Sequence, residues 1–188
     1  MPVLVVGLLA FFGIHSVRIV ASGFRDEQIA ANTGRWKGIY SLVSLAGLVL
    51  IIFGWMLYRP TAEPVFEPPV WGRHAAVLLV WIGFVLNAAA YGKPTRIKAA
   101  VKHPMLLGVM AWALGHLLAN GDLASVLLFG SFLIYTVIDR IAMARRPSAP
   151  IIVSGLRADV IALVTGTALY LLFLFVLHPV LFGVSPLA

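Results

Sequence analysis

The sequence predicts an all-α integral membrane protein, a bundle of about six transmembrane helices, and three observations carry that prediction. First, 61% of the 188 residues are hydrophobic and only 11% charged, against about 25% charged residues in ordinary soluble domains. Mean hydropathy is +1.00. Second, six predominantly apolar runs occur at about 2–20, 37–57, 74–92, 104–119, 122–138 and 158–178, most of them near the roughly 20 residues a spanning helix needs. Third, 12 of the 14 Lys and Arg residues fall in or beside alternate connections, the first, third and fifth. Short basic loops stay in the cytoplasm. The expected arrangement is therefore a multi-pass protein of a bacterial inner membrane with both termini outward, periplasmic in a Gram-negative host.

The first apolar run is expected to be retained as a helix. It has no basic residues ahead of it, and its positive charge, Arg18 and Arg25, follows it, unlike a secretory signal. Segment 22–35 mixes charged and polar residues, and 59–71 carries Pro60, Pro64, Pro68 and Pro69. Both are read as loops. The stretch GKPTRIKAAVK at 92–102 reads as a basic interfacial segment, leading to the fourth helix at His103-Pro104. Asn120, Gly121 and Asp122 form an expected tight turn with a capping acid, which makes helices four and five an antiparallel hairpin. Residues 145–150 are another basic, proline-containing break. No repeat or second domain is evident, so residues 1–188 form one expected membrane domain.

The formal charge of +7 does not indicate nucleic acid, because the basic residues sit in membrane-flanking loops. With no cysteine, disulfides, thiolate metal sites and thiolate haem ligation are excluded. The P-loop, strand-linked GxGxxG, HExxH and nucleophile-elbow motifs are all missing. Chemistry then rests on polar groups inside the apolar runs, where they are expensive. These are His15, Asn87, His116 and Asp139. Gly108, Trp112 and His116 recur every fourth residue, placing a small residue, an aromatic wall and an imidazole on one helix face. Such a face admits another helix or a flat ligand. His103 lies 13 residues before His116, about 140° away around the helix, and marks the cytoplasmic surface. Asn87 is expected to hydrogen-bond between helices, Asp139-Arg140 to close helix five as an exposed or interhelical ion pair, and His74 and His178 to be solvated structural residues at the outer interface.

FFGIHSVRI at 11–19, GRWKGIYSLVSLAGLVLI at 34–51, KHPMLLGVMAWALGHLLANGD at 102–122 and LLFGSFLIYTVIDR at 127–140 together resemble the NnrU family of bacterial membrane proteins, over residues 4–146. The resemblance implies a link to denitrification, that is, to nitrite and nitric oxide metabolism. The chain is also similar to the plant 15-cis-zeta-carotene isomerases, whose membrane domain belongs to the same superfamily and holds haem b through two histidines. Carried over by motif, those metal ligands fall on His15 and His116, with Trp112, Gly108 and His103 as further candidate cofactor-binding residues. Helix depth alone would instead pair His15 with His103. The plant enzymes also carry a cysteine three residues before the second histidine, where this chain has Ala113.

The leading expectation is thus a haem b protein of nitrogen-oxide respiration, with the lipid bilayer, an apolar small molecule and respiratory membrane proteins as partners. Two other readings stay open. One is a non-catalytic assembly or scaffold protein. The other is a membrane enzyme on an apolar substrate, an isomerase or a methyltransferase of the isoprenylcysteine type, which His103-Pro104 and Gly108 resemble in part.

Overall fold

The computed structural model describes residues 1–146 and 149–187. Within them the regular structure is all helical, with one isolated bridge between Pro64 and Asp122 as the only extended pairing. The helices are α1 (Pro2–Val20), α2 (Ser22–Tyr58), α3 (Gly72–Ala90), α4 (Arg96–Val101), α5 (Pro104–Ala119), α6 (Leu123–Ala144), α7 (Leu156–Leu172) and α8 (His178–Phe182). Five stretches are long and apolar enough to cross a membrane, Pro2–Val20, Ser22–Thr61, Gly72–Ala90, Leu123–Ala144 and Leu156–Phe182, and Pro104–Ala119 is a shorter apolar helix. These are the six apolar runs of the sequence. The short α4 falls in the basic segment expected at the interface.

Segment 22–35 is not the loop that its charges suggested. Only Ala21 (φ −137°, ψ 49°) separates α1 from α2, which then runs for 37 residues. At about 1.5 Å per residue that length exceeds the roughly 30 Å of a bilayer core. The helix kinks at Asn32 (φ −162°, ψ 98°). There the Asn32 side-chain oxygen accepts from the Arg35 amide at 2.9 Å, an N-cap bond that starts the apolar part of α2. Residues 22–31 are helical because Arg, Glu, Gln and Ala are good helix formers; their polarity places them outside hydrocarbon, not outside a helix.

The chain divides into two compact units, Met1–Val65 with Asp122–Ser131, and Phe66–Gly121 with Phe132–Ala188. In the first, α1 and α2 pack antiparallel through glycines. A Cβ on Gly7 would lie 2.6 Å from the Ile51 nitrogen, one on Gly47 2.8 Å from the Phe11 nitrogen, and one on Gly54 would meet the Leu4 backbone. Leu4, Gly7 and Phe11 share one face of α1, and Gly47, Ile51 and Gly54 one face of α2. Lipid gives no hydrophobic drive for helices to associate, so backbone proximity supplies dispersion contacts instead. Trp55 Nε1–H donates to the Ser125 hydroxyl at 3.2 Å, with both residues buried. The expected turn and cap are present, since Asp122 Oδ1 accepts from the Ser125 amide at 2.9 Å.

In the second unit α3 is central, with α5 and α7 against it. A Cβ on Gly83 would lie 2.8 Å from the Gly108 carbonyl oxygen, and one on Gly166 2.6 Å from Val85 Cα. Trp81 Nε1–H donates to Thr167 Oγ1 at 3.1 Å. Thr95 caps α4 by accepting from the Lys98 amide at 2.9 Å, and Asp159 of α7 accepts from the Arg96 amide at 2.7 Å. Below α7 the helix widens into a π turn, Phe173–Leu177, directly before Pro179, which has no N–H to continue an α ladder.

Two further expectations are corrected. Asn87 donates to the Gly83 carbonyl of its own helix at 2.9 Å, so it is not an interhelical bonding group. Asp139-Arg140 does not close its helix, because α6 continues to Ala144. Asp139 is buried, its Oδ1 has no hydrogen-bond partner, and neither described ion pair, Arg25–Asp26 or Arg96–Asp159, includes it. The break at 145–150 includes Pro147 and Ser148, which lie outside the described residues, as does the terminal Ala188.

Because Gly54 abuts the Leu4 backbone whereas Gly13 has open space around it, Gly54→Ala is expected to destabilise the protein by roughly 1–3 kcal/mol. Gly13→Ala should be close to neutral. Unfolding of both variants in a denaturing-detergent titration checks this, and equal midpoints would contradict the glycine-mediated packing.

Candidate functional site

Polar groups in these apolar helices find their partner mainly one turn back on the same helix. On α1, His15 Nδ1 lies 2.7 Å from the Phe11 carbonyl oxygen. On α5, His116 Nδ1 lies 2.8 Å from the Trp112 carbonyl oxygen. A carbonyl oxygen only accepts, so Nδ1 carries the proton in both rings and Nε2 carries the lone pair. Metal-binding histidines are held in this way, with one ring nitrogen donating to a carbonyl or carboxylate and the other aimed at the metal.

The surroundings of the two imidazoles differ. In the first unit the half-buried His15 ring stacks on Phe11, with centroids 4.1 Å apart and planes 25° apart, and the Tyr40 ring lies 5.0 Å away. In the second unit the His116 ring is 5.1 Å from Trp112, whose own ring meets Phe132 edge to face at 5.4 Å. Beside His116 stands His178, at 6.4 Å between centroids and with planes only 17° apart. His178 is held like the other two, with Nδ1 2.7 Å from the Val184 carbonyl oxygen. That carbonyl is brought round by Gly183, whose φ of 67° ends α8 and reverses the chain.

Placing His178 with the solvated structural residues therefore missed its neighbour. The signal was available in the topology. The fourth and sixth spans run the same way through a six-span protein, so a histidine late in each reaches the same end.

The other candidates have distinct places. Gly108 is pressed against α3, where a Cβ would lie 2.5 Å from Asn87 Nδ2 and 2.8 Å from the Gly83 oxygen; the neighbour it admits is a helix. Trp112 shares that helix face and bridges to Phe132. His103, the N-cap of α5, sits at the other end of that helix from His116 and lines a cavity of about 170 Å³ with Lys102, Arg140 and Arg146. His74 lines a shallow groove with Trp81, Thr167 and Tyr170. Ala113 is fully buried. Among the described residues no group of three or more His, Asp or Glu could by itself hold a metal ion, so the donors here come at most in pairs.

A family model described as NnrU protein matches residues 3–186. No curated protein and no solved structure matches the chain. The family match extends past residue 146 and takes in α7, α8 and His178. With nearly its whole length matched, this chain of membrane-spanning helices belongs to the NnrU family.

Proposed function

We propose that the chain is a haem b protein serving nitrogen-oxide respiration in a bacterial inner membrane, with the imidazoles of His15 and His116 as iron ligands. The observation that carries this reading is the shared Nδ1 bond to the carbonyl one turn earlier, at 2.7 and 2.8 Å. It holds each ring in the tautomer that offers Nε2, and it spares each ring the cost of an unsatisfied buried N–H. The donor inventory fits the group. A porphyrin brings four nitrogens of its own and asks the protein for only two, which histidines can supply in a chain without cysteine. A bound haem would supply one-electron redox chemistry, with a position for nitric oxide only where an imidazole leaves. The chain's own residues orient the imidazoles, and Phe11, Tyr40, Trp112 and Phe132 wall them with rings that exclude water. Ala113 offers no sulfur, so exchange to a neighbouring thiolate is not open to this chain.

One observation favours a second reading of the ligand pair. His116 and His178 stand at 6.4 Å and nearly parallel, both presenting Nε2.

The test is an oxidised and dithionite-reduced visible spectrum with haem stoichiometry, on detergent-purified protein expressed with ample haem. A low-spin b-type spectrum is expected, lost in His116→Ala. Loss in His15→Ala but retention in His178→Ala supports the first pair, and the converse the second. A colourless, folded wild type overturns both and leaves the assembly-protein reading. In cells, deletion should slow nitric oxide consumption, with rescue by wild type and not by His116→Ala.

The basic connections further indicate that Lys93 and its neighbours face the cytoplasm. Since the chain has no cysteine, single substitutions report on this directly. Glu67→Cys should react with an impermeant maleimide in intact spheroplasts, and Lys93→Cys only after permeabilisation. The reverse pattern would invert the topology.

A further inference from the structure

At the end of the second unit opposite His116, the cavity of about 170 Å³ lies between the α4–α5 junction and the last turn of α6. Its polar wall is Lys102, His103, Arg140 and Arg146, and its apolar floor includes Met143, which is buried. Three fixed positive charges and an imidazole thus surround a space of a few ångströms' radius. Lys102 and Arg146 are exposed and Arg140 is half-buried, so these like charges repel one another across a site open to water. Neither described ion pair supplies Lys102 or Arg140 with a carboxylate, and Asp139, although adjacent in sequence, is not among the lining residues.

The backbone at this site is held in an uncommon conformation. Lys102 has φ 62° and ψ −46°, the only positive φ outside glycine among the described residues. The His103 amide closes a three-residue turn onto the Val101 carbonyl at 2.7 Å, and the Lys102 amide bonds to Lys98 O at 2.9 Å. A residue with a Cβ is strained there by about 1–3 kcal/mol, and glycine would remove the strain. Lysine stands there instead, among the residues that line the cavity.

On the face of α6 roughly 100° round from Arg140, Met143 and Ala144 runs an exposed apolar stripe. Ile134, Val137, Ile138 and Ile141 follow the i, i+3, i+4, i+7 spacing of one helix face, and each is more than a third exposed. The stripe reaches Arg140's own turn. A ligand suited to both features has a compact anionic head of phosphate geometry and long apolar tails.

We propose that this cavity binds the phosphate of an anionic phospholipid, with Lys102, His103 and Arg140 around the headgroup and the acyl chains along Ile134, Ile138 and Ile141. Charge-assisted bonds from lysine and arginine to phosphate oxygens are among the strongest available, and basic pockets between membrane helices suit anionic headgroups. The cavity volume accommodates a phosphodiester and part of its glycerol, while the tails remain in the bilayer. Free phosphate shares the head chemistry but makes no use of the stripe. The assignment is independent of the haem reading, since it uses none of His15, His116 or His178.

The experiment is native mass spectrometry of the full chain released from detergent, titrated with phosphatidylglycerol, with phosphatidylcholine of the same acyl chains, and with inorganic phosphate. Phosphatidylglycerol should bind at least tenfold more tightly than phosphatidylcholine. The Lys102→Gln, Arg140→Gln double variant should weaken it roughly thirtyfold, while Arg25→Gln, in another basic connection, leaves it unchanged. If the double variant does not fold, Lys102→Gln alone, on the non-helical turn, provides the same readout, with a roughly fivefold loss expected. Equal binding of the two lipids, or an undiminished affinity in the variant, would overturn the proposal. Competition by millimolar inorganic phosphate would replace the lipid with a soluble anion and likewise overturn it.

Discussion

The rest of the structure depends on how a polar side chain is satisfied where there is no water. In hydrocarbon each unpaired donor or acceptor costs several kcal/mol, and the nearest acceptor is usually the carbonyl one turn back, already turned outward on the same helix. His15 uses Phe11, His116 uses Trp112, Asn87 uses Gly83, Asn120 uses His116 and Thr136 uses Phe132. None of these bonds needs a neighbouring helix. The interfaces are consequently left to small residues, and the backbones of α1 and α2, and of α3 with α5 and α7, approach as closely as glycine permits. Polarity is thus satisfied mostly within a helix and packing mostly by glycine, with Trp55–Ser125 and Trp81–Thr167 as side-chain bonds described between helices.

That separation explains what was legible in the sequence. Span number and position followed from composition, because the bilayer imposes length and polarity on every helix alike, and the six apolar runs reappear in α1, α2, α3, α5, α6 and α7 with its continuation. The Asp122 cap was legible because a short acid before an apolar run has one common use. Failures came where polarity was equated with non-helical structure or with an interhelical partner. Residues 22–31 are charged yet helical, Asn87 turns back on its own helix, and Asp139 lies five residues inside α6 rather than at its end. The pairing of His116 with His178 joins groups 62 positions apart, so only the parallel run of the fourth and sixth spans pointed to it, and local spacing carries no trace of it.

Within the second unit, α5 separates two kinds of chemistry. Its first residues carry the strained Lys102 turn and the cationic cavity, while its last full turn carries His116, and the 13 residues between them span about 20 Å. The proposed anion site and the proposed imidazole ligand thus lie at opposite ends of one short helix. The Gly108–Trp112–His116 stripe links them. Gly108 docks the helix on α3, Trp112 fills the space beside it, and His116 is thereby fixed in position as well as in tautomer.

The central claim is that the back-bond holds these histidines with the proton on Nδ1, so that Nε2 is presented for coordination. It is tested most directly by solid-state ¹⁵N spectra of histidine-labelled, haem-free protein in lipid bilayers near neutral pH, assigned with His15→Ala and His116→Ala. The account predicts that both residues give a protonated Nδ1 and an unprotonated Nε2, the minority form of free imidazole. Protonated Nε2 signals at both positions would contradict it.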